Sequence, residues 1–305
     1  MKIILLNGPS SAGKSSIARE LKGMLEGPVQ VIALDDYLDM TPEEPIWEDD
    51  VFAVTPRMGA DIAAALEAGE SVIIDHVITS ARIFEAIRKA IGERPCFRVL
   101  VTCDTAVLRQ RERDRGNRCI GSAEASRQYL FPKDGYDLRI DSGLLQPGEA
   151  AERIAACADL TIRKMRRTDL TPLHALLSDP EVMRHIEPPF SSEKTEAFLQ
   201  EAGMAEPPLI YAVDDGEGRF IGYVIYHGYE EDSVEIGWVL NRSAWEHGHA
   251  QALTALLIEK ARNEKKNVVI ECSPEQTVSQ HIAVRNGFAC CGCSEGLQLY
   301  RLTLR

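Results

Sequence analysis

Five short apolar runs, separated by stretches of helical periodicity, organise the first half of the chain. They are residues 2–7 (KIILLN), 29–34 (VQVIAL), 71–77 (SVIIDHV), 97–103 (FRVLVTC) and a shorter one at 136–141 (YDLRID). Between them, KSSIARELKGML (14–25) and MGADIAAALEAG (58–69) space their apolar residues as a helix with one buried face does. Strands that are apolar nearly throughout, alternating with helices, predict a parallel sheet covered on both faces. GEAAERIAACAD (148–159) reads as the last helix of that unit.

The period then changes. LTIRKMRRTDLTPLHALL (160–177) reads as a strand followed by a helix capped by Thr168-Asp169. PPLIYAVDD (207–215), RFIGYVIYHG (219–228) and SVEIGWVLN (233–241) read as an antiparallel meander, with DDGEG (214–218) as its first hairpin turn. A long helix over 248–264, the strand NVVIEC (267–272), a helix ahead of NGF and a final strand LQLYRLTLR (297–305) complete an α+β order. The expected domains are 1–158 and 159–305, with almost no linker.

Bulk properties narrow the function classes. The chain has 305 residues, enough for about two domains, and its 45% hydrophobic and 27% charged residues fit a globular protein. No apolar run approaches the roughly 18 to 20 residues of a membrane span, and the N-terminal run is too short for a signal peptide. A net charge of −13 argues against broad binding to nucleic acid or anionic membranes. The eight cysteines lack framework or zinc-site spacing, even at CCGC (290–293), so reduced, mostly buried thiols in a cytoplasmic protein are expected.

The chemistry begins where the first strand ends. Gly8-Pro9-Ser10-Ser11-Ala12-Gly13-Lys14-Ser15 fits GxxxxGK[ST], with a strand before it and a helix after it. In such a loop the backbone N–H groups from Gly8 to Ser16 turn inward around phosphates, and the helix N-terminus adds to that field. Lys14 reaches the β- and γ-phosphates, and the Ser15 hydroxyl completes a Mg²⁺ shell. Ligands of such sheets meet the carboxyl ends of the strands, where the second ends at Asp35-Asp36 and the third at Asp75-His76. One carboxylate there can hold Mg²⁺ while another takes a proton from an acceptor hydroxyl. RQRERDRGNR (109–118) concentrates five arginines, Arg109, Arg111, Arg113, Arg115 and Arg118, in an acidic chain. They read as a lid over a transferring phosphoryl group, two or three of them engaging, or as a solvated helix with Glu112 and Asp114 as partners.

IILLNGPSSAGKSSIAREL, ALDDYL, VIIDHV, VTCDTAVLRQRERDRGNR and GYDLRID together resemble chloramphenicol phosphotransferase and its P-loop kinase relatives, across nearly all of residues 1–158. The resemblance implies ATP- and Mg²⁺-dependent phosphorylation of a hydroxyl on a small, antibiotic-like molecule. It makes Asp35 the base, and it matches the family's aspartate after strand three to Asp75 and its arginine lid to Arg109–Arg118; within these, Asp75 with Ser15 reads as the metal site, Arg115 as a catalytic arginine, and Arg111 and Arg118 as nucleotide contacts. Residues 40–60, where an acceptor pocket would be built, lie outside the likeness.

DSVEIGWVLNRSAWEHGHAQALTALLIEKAR (232–262), with LTIRKMRRTDL before it and VIECSPEQTVSQHIAVRNGF after it, resembles the GNAT acetyltransferases over about 160–305. By that likeness acetyl-CoA is the cofactor and an amine the acceptor. Val239 and Leu240 hold the pantetheine arm, His247, Gly248, His249 and Ala250 wrap the pyrophosphate, Ser279 lies near the thiol, and Glu235 acts as base. Trp245, Gln276 and Ala283 depart from the family pattern, at the positions of its Gln/Arg, asparagine and thiolate-protonating tyrosine. The combined reading is a bifunctional transferase: a P-loop α/β domain, then an α+β acetyltransferase domain. Its partners are small molecules bearing hydroxyl and amine groups, not nucleic acid or membrane, with a homodimer left open. The alternative is a regulatory protein that senses nucleotide and acetyl-CoA through a degenerate acetyltransferase domain.

Overall fold

Ile3–Asn7 (β1) and Ser71–His76 (β3) are buried at every position, the mark of strands covered on both faces. They form the middle of a five-stranded parallel sheet with Val29–Ala33 (β2), Phe97–Thr102 (β4) and Leu138–Asp141 (β5), in the order β2-β3-β1-β4-β5. The computed structural model describes residues 1–304. Two compact units divide the chain, Met1–Ala158 and a second from Asp159 onward.

In the first unit, Glu48–Glu67 (α2) and Ala81–Ile91 (α3) cover one face of the sheet, and Lys14–Lys22 (α1) packs with Pro147–Ala158 (α6). Leu5 and Ile74 from the sheet meet Met58 and Ile62 of α2 and Ile83 and Ile87 of α3. Each of these buried side chains contributes about 1.5–3 kcal/mol of transfer free energy. Thr105–Arg115 (α4) and Ser122–Tyr129 (α5) follow β4. Because β1 is central, the chain leaving it enters the crevice at the carboxyl ends of its neighbours.

Helix α2 is longer than the expected 58–69. It starts at Glu48 and runs through Pro56, which lacks the N–H that would bond the Phe52 carbonyl. Proline reads as a breaker in sequence. Here the buried stripe of Val51, Met58, Ile62 and Leu66 continues across it, and packing against α3 outweighs the lost bond.

The second unit is a seven-stranded mixed sheet in the order β11-β12-β10-β9-β8-β7-β6. Its strands are Thr161–Arg163 (β6), Ile210–Asp214 (β7), Phe220–Glu230 (β8), Ser233–Leu240 (β9), Asn267–Cys272 (β10), Ala289–Ser294 (β11) and Leu297–Leu302 (β12). Its helices are Leu170–Leu177 (α7), Pro180–Met183 (α8), Ser192–Phe198 (α9), His249–Asn263 (α10) and Thr277–Arg285 (α11). All pairings are antiparallel except β9–β10.

Three details differ from the sequence reading. Asp169 does not cap α7 with its side chain. Its buried carboxylate instead takes Arg163 at 2.7 Å and the Arg166 N–H at 2.7 Å, while Arg163 also grips Asp214 on β7. Strand β11 was not legible, because ACCGCS is exposed throughout and a bulge between Cys290 and Gly292 breaks its alternation. The thiols are also less buried than expected: Cys103, Cys157 and Cys272 are buried, but Cys290, Cys291 and Cys293 are exposed on this edge strand. Among the described residues, no helix is long and apolar enough to cross a membrane.

Candidate functional site

The loop between β1 and α1 is pressed against β4. A Cβ on Gly8 would stand 2.1 Å from the Val101 carbonyl oxygen, so only glycine lets the chain turn there. Gly13, at φ 85°, is the N-cap of α1 and provides no side-chain cap, which leaves the first amides of the helix facing the loop. Ser10 donates its N–H to Ser126 Oγ (3.0 Å), and the Ala12 carbonyl accepts from Ser142 Oγ (2.6 Å). Ser11 adopts φ 62°, and its buried hydroxyl has no hydrogen-bond partner among the described residues. Ser16 lines the same cavity.

Lys14 is buried and donates to the carbonyls of Gly8 (3.1 Å) and Pro9 (2.9 Å), with Asp75 Oδ1 at 4.0 Å. Burial lowers the pKa of its ammonium, against the attraction of Asp75 and Asp35. Ser15 Oγ donates to Asp75 Oδ2 at 2.6 Å. Burial raises the Asp75 carboxyl, opposed by Lys14 and the Ser15 hydrogen bond. A hydroxyl and a carboxylate converging beside the loop are hard oxygen donors of the kind that suit Mg²⁺.

Of the two acids ending β2, Asp35 faces the cavity and Asp36 is exposed. Arg115 Nη2 approaches Asp35 Oδ2 at 2.8 Å, and Arg118 Nη2 hydrogen-bonds the same oxygen. Burial pushes Asp35 upward, but these two guanidinium groups outweigh it and hold the carboxyl below its usual range. Arg111 also reaches the cavity, donating to Ser142 Oγ (3.1 Å) and the Ser142 carbonyl (2.8 Å). Arg109 instead pairs with Glu124 at 2.7 Å, and Arg113 with Gln110 at 2.6 Å. Three of the five arginines thus converge.

The sequence reading missed three supporting residues. Glu112 is buried, and its carboxylate accepts from the N–H groups of Gly121 (2.8 Å) and Ala123 (2.7 Å), tying α4 to the start of α5. Ser142 joins the loop to Arg111 from just beyond β5, a position that the carboxyl-end rule for such sheets could have flagged. Asn7 gives its amide to Phe131 O (2.9 Å) and Tyr136 Oη (2.7 Å) and accepts from the Ile78 N–H (2.9 Å). Its signal was a polar residue closing an apolar strand.

The cavity measures about 900 Å³. One side is the phosphate loop; the other is an apolar wall that includes Met40, Ile46, Trp47, Val51, Ile120 and Tyr129. The stretch after residue 40 therefore does build a pocket wall. His76 also lines the cavity, and burial pushes its imidazole down to about 4, a backbone interaction with Val77 working against this.

In the second unit, β9 and β10 pair only where Ser233, Val234 and Glu235 face Asn267, Val268 and Val269. Beyond that point β10 continues beside β12 and β9 beside β8, so the β9 edge from Ile236 to Leu240 parts from β10. Val239 and Leu240 lie on the parted segment, with the Leu240 carbonyl accepting from Trp245 Nε1 at 2.9 Å. Glu246 (φ 64°) and Gly248 (φ 76°) turn the chain into α10, whose N-terminus has no side-chain cap. His247 and His249 stack at 5.7 Å beside this turn, their Nδ1 atoms bonded to the carbonyls of Trp245 (2.6 Å) and Ala244 (3.2 Å). Ala250 lies in the first turn of α10, and Ser279 is half-buried on α11.

Glu235 occupies the last paired position before the strands part. His227 Nε2 lies 3.4 Å from its Oε2, and Tyr229 Oη donates to the neighbouring Glu271 at 2.6 Å. Burial raises the Glu235 carboxyl, His227 opposes this, and Glu271 adds to it.

Comparison with known proteins places both units. Residues 1–159 match the chloramphenicol phosphotransferase-like protein family, and residues 159–289 match the acetyltransferase (GNAT) domain. The uncharacterized N-acetyltransferase YnaD of Bacillus subtilis is 26% identical over 132 residues, 42% of this chain and 78% of that protein. Among solved structures, a GNAT-family acetyltransferase from Bacillus anthracis is 26% identical, covering 48% of this chain and 95% of its own, with a TM-score of 0.44. Spermidine N-acetyltransferase from Vibrio cholerae, in complex with CoA and spermine, is 19% identical, covering 47% and 94%, with a TM-score of 0.41. The chain belongs to the chloramphenicol phosphotransferase-like family through its first unit and continues into an acetyltransferase (GNAT) domain.

Proposed function

We propose that the chain is a bifunctional transferase that phosphorylates a hydroxyl of a small, antibiotic-like molecule and acetylates an amine. One observation carries the first activity. Lys14, the Ser15–Asp75 pair and the Asp35–Arg115–Arg118 cluster surround a single cavity whose opposite wall is apolar.

The uncapped α1 N-terminus, the tight Gly8 turn and the unpartnered Ser11 hydroxyl suit the phosphates of ATP, which supplies the transferable phosphoryl group. Lys14 would hold the β- and γ-phosphates, Ser15 and Asp75 would hold Mg²⁺, and Arg111, Arg115 and Arg118 would neutralise charge on the phosphoryl group. Asp35 takes the acceptor hydroxyl's proton, and the apolar wall seats the acceptor's carbon frame.

For the second activity, the parted edge at Val239 and Leu240 suits the amide-bearing arm of acetyl-CoA. The uncapped N-terminus at Gly248, His249 and Ala250, beside His247, suits its pyrophosphate. Ser279 would stand near the thiol. Glu235, half-buried with a raised pKa, takes the proton of the amine. We place this work in the cytoplasm, which supplies both cofactors and keeps eight free cysteines reduced.

The deciding experiment is mass spectrometry of a library of hydroxyl- and amine-bearing compounds, incubated separately with MgATP and acetyl-CoA. The wild type should add one phosphoryl or one acetyl group. Lys14→Ala should lose the first gain and Gly248→Glu the second. If both variants keep every modification, the bifunctional reading fails.

A further inference from the structure

The two histidines that flank Gly248 at the start of α10 have the positions of their protons fixed by the loop. His247 Nδ1 lies 2.6 Å from the Trp245 carbonyl oxygen, and His249 Nδ1 lies 3.2 Å from that of Ala244. A carbonyl only accepts, so in each ring Nδ1 is the nitrogen that carries the hydrogen. Nε2 of the neutral ring is then a bare lone pair. The geometry of an imidazole turns that lone pair away from the carbonyl, and among the described residues it has no hydrogen-bond partner. His247 is exposed and His249 is half-buried, so a ligand at this turn can reach both rings.

A pyrophosphate oxygen is an acceptor too. It would meet a neutral His247 or His249 lone pair against lone pair. Moving the single hydrogen to Nε2 relieves this only by setting Nδ1 against the carbonyl, at 2.6 Å for His247. A second proton, placed on Nε2, satisfies both contacts. The carbonyl keeps its donor, and the pyrophosphate gains a charged one. The two rings stack with their centroids 5.7 Å apart, so a charge on each would repel the other, and one proton serves the pair.

The neighbouring charges do not take this role. In the loop, Arg242 lies 3.9 Å from Asp179, which precedes α8, and Glu246 is exposed. On α11, which packs against α10, His281 and Arg285 are exposed. Among the described residues, the imidazoles of His247 and His249 bond only to the loop carbonyls, and no carboxylate of the chain is paired with either ring.

We infer that His247 and His249 grip the cofactor's pyrophosphate in imidazolium form, so that each binding event takes up about one proton. This rests on the reading of the second unit as an acetyl-CoA-dependent transferase. The proton comes from solvent and returns to it when the cofactor leaves, and affinity falls as pH rises.

The test uses the full chain and dephospho-CoA, which lacks the 3′-phosphate that itself titrates near neutral pH. Calorimetry at about pH 7.5, in two buffers of different ionisation heat, counts the protons bound. The wild type should take up between about half a proton and one, and its affinity should fall about tenfold from about pH 6 to about pH 8.5, the worth of one hydrogen bond from a charged donor. The double variant His247→Gln, His249→Gln should take up none and lose this pH dependence. His247→Arg should keep its affinity at high pH with less uptake, which a merely structural role for the ring would not produce. His281→Gln should behave as the wild type. Binding by the wild type without proton uptake overturns the inference, as does uptake that survives in the double variant or disappears in His281→Gln. If the double variant does not fold, the wild-type proton count decides. No binding heat with either dephospho-CoA or acetyl-CoA would instead sink the acetyl-CoA reading itself, and the inference with it.

Discussion

Arg118 closes on the carboxylate of Asp35, and Arg115 donates to the same oxygen at 2.8 Å. The acid proposed to take a proton is thus held by the cations proposed to meet the phosphoryl group. Phosphate oxygens would compete with Asp35 for these two guanidinium groups, so the arrival of one substrate changes the basicity available to the other.

The first prediction concerns pH. Because Arg118 and Arg115 keep the Asp35 carboxyl low, the base stays ionised into mildly acidic solution. Arg118→Ala should move the acid limb of phosphoryl transfer to higher pH and lower kcat/KM by about 10²–10³. The stability sign follows from the same depressed pKa. This ion pair stabilises the fold above the ordinary carboxyl pKa, and that contribution disappears as pH falls through the folded value. An acid limb that stays put in Arg118→Ala would remove Asp35 from the role of base.

A second prediction separates the loop's shape from its charge. Gly8→Ala puts a methyl group 2.1 Å from a backbone oxygen on the buried strand β4. Neither side can yield cheaply, so the melting temperature should drop, by an amount corresponding to about 1–3 kcal/mol. Lys14→Ala introduces no such clash, and its main effect should be loss of MgATP binding heat in calorimetry. Equal thermal losses in the two variants would contradict this division.

Glu112 supports a third. It is 1% exposed, and its carboxylate is the acceptor for two backbone N–H groups at the start of α5. Glu112→Ala should cost about 2 kcal/mol by leaving those donors unpaired. Amide exchange over residues 119–129 should speed up more than exchange in β1 or β3. Uniform acceleration across the first unit would show that Glu112 serves global stability, not this segment.

Much of this arrangement was legible in the sequence because its determinants are local. Strand β1, the glycine loop and α1 follow one another within 22 residues, and each is marked by its own residue types. The strand ends at Asp35 and Asp75 were also legible, since a parallel sheet puts carboxyl ends together. Contacts made at long range were not. Nothing near Glu112 announces that it will accept from Gly121 and Ala123, and its neighbours suggest a solvated charged helix. Pro56 hid the first half of α2, because the packing that overrides it comes from α3. Strand β11 owes its existence to pairing with β12, and its exposed, glycine-broken sequence carries no alternation to read. The five arginines could be found as a group, but sorting Arg111, Arg115 and Arg118 from Arg109 and Arg113 needed the positions of Ser142 and Asp35.

The fourth prediction tests Glu235 through its neighbours, which act on it in opposite directions. His227 lowers its pKa and Glu271 raises it, against a background of burial that favours the neutral acid. If Glu235 takes the proton from the amine, it must be ionised, and the acid limb of acetyl transfer follows its pKa. Glu271→Gln removes a like charge, lowers that pKa and should shift the limb to lower pH. His227→Ala removes the opposing partner and should shift it to higher pH. Glu235→Gln should reduce kcat by about 10²–10⁴ while leaving acetyl-CoA binding intact, because the carboxylate lies before the point where β9 and β10 part. Shifts of the same sign in the two neighbour variants, or no shift in either, would mean that another group takes the proton.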